Sequence, residues 1–197
     1  MVVPSPPIPG SRAISADKVL LRRQARVARR EFVESLGAGD RIALEARLAT
    51  YLSSLVEQSR IIGAYWPMPT EISPLPALAT ASTIAFPAFA ARDRPFRFLT
   101  GDPVDPGPFG IPQPAAGSPE VVPDLVLVPL VAIDHDGNRL GHGKGHYDRV
   151  LGDLKRRGAL LIGVGWAVQL IDSTIPVDPW DVPLDGFASP EGVRMWR

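Results

Sequence analysis

The sequence has no cysteine and no net charge at neutral pH. Without thiols it can form no disulfide, no cysteine nucleophile and no cysteine-ligated zinc site, and it suits a reducing compartment. Its 21 basic side chains are balanced by 21 acidic ones. No global field therefore draws it to nucleic acid or to an anionic membrane, and any anion site must come from local clustering. No apolar run reaches the roughly 20 residues of a membrane span. These absences predict a cytoplasmic protein with neither a nucleic-acid nor a membrane partner; a monomer is expected, although composition does not set the oligomeric state.

Proline is plentiful, at 22 of 197 residues. The opening MVVPSPPIPGSRA lacks the basic and continuous apolar regions of a signal peptide. Residues 1–14 read as a disordered tail and 15–197 as one domain, with 45% hydrophobic residues to build a core.

From Ser15, a plausible N-cap, Leu21, Ala25, Ala28, Phe32 and Leu36 recur at helical spacing, and Gly37 is a plausible stop. A second helix is predicted from about Asp40, burying Leu44, Leu48, Tyr51 and Leu55. Buried strands are predicted over 61–66, 82–87, 124–133 and 160–166, with an edge strand at 96–99. Pro129 should kink or end the third of them. Residues 73–80 read as a short helix, 101–120 as a loop and 147–157 as a helix; the chain from Val168 is expected to wrap the surface. Alternating strands and helices predict a three-layer α/β/α sandwich on a largely parallel sheet.

The stretch RLGHGKGHYDR, residues 139–149, sets glycines at 141, 143 and 145 among basic and aromatic side chains. It lies between a buried strand and a helix, where α/β sheets bind ligands. Asp136-Gly137 supplies a turn; the three glycines can take positive φ and turn N–H groups toward an anion, with Lys144 and Arg139 adding charge. The stretch is neither a P-loop, which needs Ser or Thr after Gly-Lys, nor a G-x-G-x-x-G fingerprint. An anion cradle, a flexible turn, and zinc on His142 and His146 remain open at this point; glycines between the histidines argue against a helical zinc pair. Elsewhere, Lys18, Arg22, Arg26 and Arg29 share one helix face, which by itself reads as solvated. Trp66 reads equally as core and Glu71 as solvent-facing.

The segment from Asp134 to Arg149 resembles the signature G-N-R-L-G-x-G-x-G-Y-Y-D of the 5-formyltetrahydrofolate cyclo-ligase (methenyltetrahydrofolate synthetase) family. Other landmarks fall in family order: Lys18-x-x-x-Arg22, Pro67 to Glu71, Ile111-Pro-Gln-Pro114 and Pro176 to Asp185. The resemblance implies an ATP-dependent ligase of one-carbon metabolism that closes 5-formyltetrahydrofolate to 5,10-methenyltetrahydrofolate, releasing ADP and phosphate. It places ATP on Lys18, Arg22, Arg139, Leu140, Gly141, His142, Gly143, Lys144, Gly145, His146 and Tyr147. It places the folate on Trp66, Glu71 and residues 142–146, and gives Lys144 and Arg139 the catalytic charge. Magnesium falls to Asp148 and Asp181, with Asp178 and Asp185 as neighbouring candidates. Arg26 and Arg29 keep the solvated reading.

One position departs from the pattern: His146 stands where the family usually has tyrosine, which can alter substrate fit or pH dependence. Three rival readings stand beside the cyclo-ligase. One is an enzyme of the same fold acting on another formyl or carboxyl compound; another is a non-catalytic folate or nucleotide binder. The third, an RNA-binding accessory, is disfavoured by the neutral charge balance.

Overall fold

The computed structural model describes residues 16–92, 94–108 and 110–196. The expected tail over 1–14 and the Ser15 cap lie outside the described residues. Helices α1 (Ala16–Ser35) and α2 (Ala38–Gln58) follow one another almost without a loop. Gly37 does more than stop α1: its extended backbone opens α2, and its N–H donates to the Asp40 carboxylate. Strands β1 (Ile62–Gly63), β2 (Ile84–Ala88) and β3 (Arg97–Thr100) come next, then β4 (Asp105–Pro106), β5 (Pro112–Gln113) and β6 (Leu125–Pro129). The chain continues through β7 (Ala132–Ile133), β8 (Arg139–Leu140), α3 (Asp148–Arg156), β9 (Leu160–Val164), β10 (Gly186–Ser189) and β11 (Gly192–Met195).

Seven strands form the main sheet in the order β11-β10-β9-β6-β1-β2-β3. The five inner strands are parallel; β3 and β11 close the edges antiparallel. This is the predicted sandwich. Leu125 and Leu127 point into the layer of α1 and α2 together with Ile62, Leu48 and Leu52. Val126 and Val128 point the other way, onto Leu151 and Leu154 of α3. The period-2 alternation thus buries both faces of β6, as its unbroken apolar run required.

The expected strand over 124–133 ends at Pro129, which has no N–H to continue the ladder. Ala132 and Ile133 leave the sheet and pair with Arg139 and Leu140 in a separate hairpin. Residues 73–80 hold a 3-10 turn at Leu75–Thr80. On α2, Tyr51 is 42% exposed rather than buried. The inward stripe is Leu48, Leu52 and Val56, because α2 is rotated so that this i, i+4, i+8 row faces the sheet. The expectation that the chain from Val168 wraps the surface is wrong for its last third. Gly186–Ser189 is the fifth parallel strand and Gly192–Met195 is its edge partner. Short strands without alternation leave no periodic signal.

Gly163, in the centre of β9, marks how tightly the layers meet. A Cβ there would lie 2.7 Å from a Leu130 methyl and 2.9 Å from a Leu184 methyl. Gly163→Ala is expected to lower stability by about 1–3 kcal/mol through overpacking. Equilibrium urea unfolding checks it, and an unchanged midpoint would show a looser layer than the geometry implies.

The chain runs outward from β1 to β2, then returns to the other side of β1 and proceeds through β6, β9 and β10. The order therefore reverses between β1 and β6. A crevice opens at such a point beyond the C-terminal strand ends, and the functional side chains gather there.

Candidate active site

A cavity of about 800 Å³ occupies this crevice, within the roughly 300–1,000 Å³ typical of small-molecule sites. One wall begins where β1 ends. Tyr65 is buried, with its hydroxyl donating to the Ile72 carbonyl at 2.7 Å. Trp66 is 37% exposed at the cavity, edge-on to Phe86; it is wall, not core. The next turn is pinned from three sides. Arg41 donates to the Pro69 and Glu71 carbonyls, the Trp166 indole to the Thr70 carbonyl, and the Met68 N–H to the Glu71 carboxylate. This holds Glu71 with its side chain in the cavity and only 5% exposed, contrary to the solvent-facing reading.

Arg29, from α1, lies beneath Glu71 at 3.7 Å and donates to the Leu130 carbonyl. It is 5% exposed, which corrects its reading as a solvated side chain. Burial lowers the guanidinium's pKa and the Glu71 charge partly restores it. A buried charge needs such a partner.

The opposite wall is the glycine loop. Gly143 and Gly145 take positive φ, as does Gly137 in the turn before the loop. Gly141 does not; it is confined because a Cβ would lie 3.1 Å from an Arg139 nitrogen. Arg22 Nε donates to the Gly141 carbonyl at 3.0 Å and Arg26 Nη2 to the His142 carbonyl at 3.1 Å. The His142 ring reaches across to Glu71 at 3.2 Å. Lys144 is exposed on the loop and lines the cavity. Leu140 is the exception among the expected loop contacts. Its side chain is buried among Val131, Ala132 and Ile175, and its carbonyl accepts from Val131.

Charges are paired around the floor. Arg139 donates to Asp148 at the start of α3 and sits 5.9 Å above the Tyr147 ring. Lys18 is 4% exposed, with Nζ 2.5 Å from both Asp178 and Asp181. Burial alone would lower the Lys18 pKa; hydrogen bonds to the two carboxylates outweigh it and raise the pKa. Asp185 is elsewhere, paired with Lys155 at 3.0 Å, and does not reach the cavity. Among the described residues no group of three or more His, Asp or Glu side chains is placed to hold a metal ion by itself.

Comparison with known proteins names this arrangement. The model of the 5-formyltetrahydrofolate cyclo-ligase family matches residues 14–190. The chain belongs to this family. Its fold also superposes on the solution structure of Aquifex aeolicus 5,10-methenyltetrahydrofolate synthetase with a TM-score of 0.75 and 30% identity, covering 91% of this chain and 93% of that one. The 5-formyltetrahydrofolate cyclo-ligase of Mycolicibacterium smegmatis is 29% identical over 83% of this chain and 88% of its own length. That of Haemophilus influenzae is 37% identical over 92 residues, 45% of this chain. The match spans about half the length of that relative, 49%.

For a cyclo-ligase family member the departure at residue 146 has a definite setting. The His146 ring packs edge-on against Phe89 with centroids 5.0 Å apart, in the cavity wall. Burial, with Arg149 and Lys144 nearby, lowers its pKa. It presents a planar ring to the cavity wall, as tyrosine would. Phe89 is itself fixed by Gln113, whose side-chain oxygen accepts from the Phe89 N–H at 3.0 Å. Phe89 and Trp180 also line the cavity, and neither left a sequence signal beyond proximity to family landmarks.

Proposed function

We propose that this protein converts 5-formyltetrahydrofolate to 5,10-methenyltetrahydrofolate at the expense of ATP, as a monomer in the cytoplasm. The observation that carries the reading is one chamber bounded on one side by Trp66 and Glu71 and on the other by Arg22, Arg139 and the glycine loop. The absence of cysteine suits the reducing compartment. No described helix is long and apolar enough to cross a membrane.

The chemistry explains why both walls are needed. The formamide oxygen is a poor leaving group. Its attack on the γ-phosphorus breaks the bond to ADP and makes that oxygen part of a phosphate ester. N10 then attacks the activated carbon, the C–O bond breaks, phosphate departs, and N10 loses its proton. No protein nucleophile is required; the protein positions the reactants and offsets charge. Trp66 offers an aromatic wall to the pterin, and Glu71 accepts its ring N–H groups. Arg139, Lys144 and N–H groups of Gly141 to Gly145 face the transferring phosphoryl group. Lys18 and Arg22 serve the remaining phosphates, which would draw Lys18 from Asp178 and Asp181.

Asp148 and Asp181 offer hard carboxylate oxygens at the cavity, a donor set that fits magnesium held by one or two carboxylates plus substrate phosphates. Bound there, magnesium would offset phosphate charge.

Purified protein given 5-formyltetrahydrofolate, ATP and magnesium is expected to produce the near-ultraviolet absorbance of the methenyl product; a flat trace overturns the folate assignment. His146→Tyr is expected to keep or raise turnover, since the native ring is already packed edge-on against Phe89 as an aromatic. A loss of more than about tenfold, some 1.4 kcal/mol, would count against that equivalence.

A further inference from the structure

Three consecutive contacts tie the tripeptide Gly141-His142-Gly143 to both walls of the cavity. Arg22 holds the Gly141 carbonyl, Arg26 holds the His142 carbonyl, and the His142 ring holds Glu71. The first uses a cation of the phosphate side, and the second an exposed arginine outside the cavity lining. The third uses Glu71, the proposed folate carboxylate, so a coupling built on these contacts rests on that functional reading.

The ring contact is directional. Arg26 Nη2 lies 3.5 Å from His142 Nδ1, while Nε2 faces Glu71 Oε1 at 3.2 Å. A guanidinium can only donate, so Nδ1 is assigned as the acceptor and Nε2 as the N–H that donates to Glu71. The other Glu71 oxygen already accepts the Met68 N–H. Arg29 shares Oε1 from the buried side at 3.7 Å. A ligand N–H approaching from the cavity therefore finds its place on Oε1 taken by His142.

We infer that His142 is a positioning residue that couples the two substrate sites. A folate N–H that takes the cavity-facing position on Oε1 displaces the imidazole. The tripeptide then keeps only its carbonyl bonds to the exposed Arg26 and to Arg22, the cation for which incoming phosphates compete. Conversely, phosphates that engage Arg22 free the Gly141 carbonyl and loosen the adjoining ring from Glu71. Each substrate removes a contact that the other would otherwise have to break. Such a linkage is reciprocal and favours occupation of both sites before reaction.

Isothermal titration calorimetry of the full chain with 5-formyltetrahydrofolate, a non-hydrolysable ATP analogue and magnesium tests this. In the unaltered protein, saturating nucleotide analogue is expected to tighten folate binding about fivefold or more, the lower end of ordinary site-to-site coupling. His142→Ala keeps the carbonyl but removes the ring. It is expected to bind folate alone several-fold more tightly, with the coupling falling below about twofold. His142→Gln, whose amide can donate to Glu71, is expected to restore both the weaker folate binding and the coupling. A merely structural role predicts instead that His142→Ala weakens both ligands together; that result, or coupling unchanged in His142→Ala or absent from the unaltered protein, overturns the inference. Failure of the unaltered protein to bind either ligand overturns the functional reading and this inference with it.

Discussion

Arg139→Ala is expected to reduce kcat by about a thousandfold, the effect of removing a cation that meets charge developing on a transferring phosphoryl group. The guanidinium is almost wholly buried, with 5% of its side chain exposed, and lies between the Asp148 carboxylate, the Tyr147 ring and the backbone of Gly141. Rigid placement is what lets it act without reorganising during reaction. The KM for 5-formyltetrahydrofolate should change little, because Trp66 and Glu71 stand on the other wall. Arg139→Lys should recover only part of the loss, since an ammonium cannot reproduce the planar fork that spans Asp148 and a phosphoryl oxygen. Steady-state kinetics check this, alongside thermal melting to separate lost chemistry from lost folding, since Ala also strips Asp148 of its partner. If Arg139→Ala keeps more than about a tenth of normal kcat, less than about 1.4 kcal/mol of transition-state stabilisation is gone and the catalytic assignment fails.

The largest effect on stability is expected at Asp134, 2% exposed at the mouth of the β7–β8 hairpin. One carboxylate oxygen accepts the N–H groups of Asp136 and Asn138; the other accepts the Asn138 amide and the N–H of Ile175. Hydrogen bonds to a charged group contribute roughly 1.5–3 kcal/mol each and do not add fully. Asp134→Ala leaves four donors without their acceptor, three of them backbone, and is expected to cost about 3–5 kcal/mol. Guanidinium unfolding at equilibrium measures it, and a loss under about 1 kcal/mol would show that water replaces the carboxylate freely. Because Asp134 joins the base of the glycine loop to the segment leading into Asp178 and Asp181, the variant that still folds should also bind ATP more weakly.

Much of the fold was legible in the sequence, for identifiable reasons. Unbroken apolar runs such as Leu125 to Val128 specify inner parallel strands, and Pro129 specifies where the strand must end. Glycine at 141, 143 and 145 allowed positive φ at all three, and the structure uses it at Gly143 and Gly145 but not at Gly141. The signature from Asp134 to Arg149 named the family before any coordinate. Short elements were harder to read. Gly186–Ser189 has neither alternation nor length, and it becomes a strand because β9 offers a parallel edge beside it. The stripe on α2 was misplaced toward Tyr51 because helical spacing gives the period of a buried face, while the packed partner chooses its phase.

The sequence by itself determined which chemical groups are available and the local geometry that carries them: a glycine loop between strand and helix, four cations on one helix face, an aromatic and a glutamate after the first strand. Only the tertiary structure decided which charges meet. Lys18 lies 160 residues from Asp178 and 163 from Asp181, and His142 lies 71 residues from Glu71. Of four cations with the same helical spacing, Lys18 and Arg29 are buried against carboxylates while Arg26 stays exposed. Helical periodicity acts over a few residues and assigns all four to one face. The free energy of a charge depends on what lies across from it and on how much water is excluded, and that is settled only when the sheet, the loop and the helix close around the same cavity.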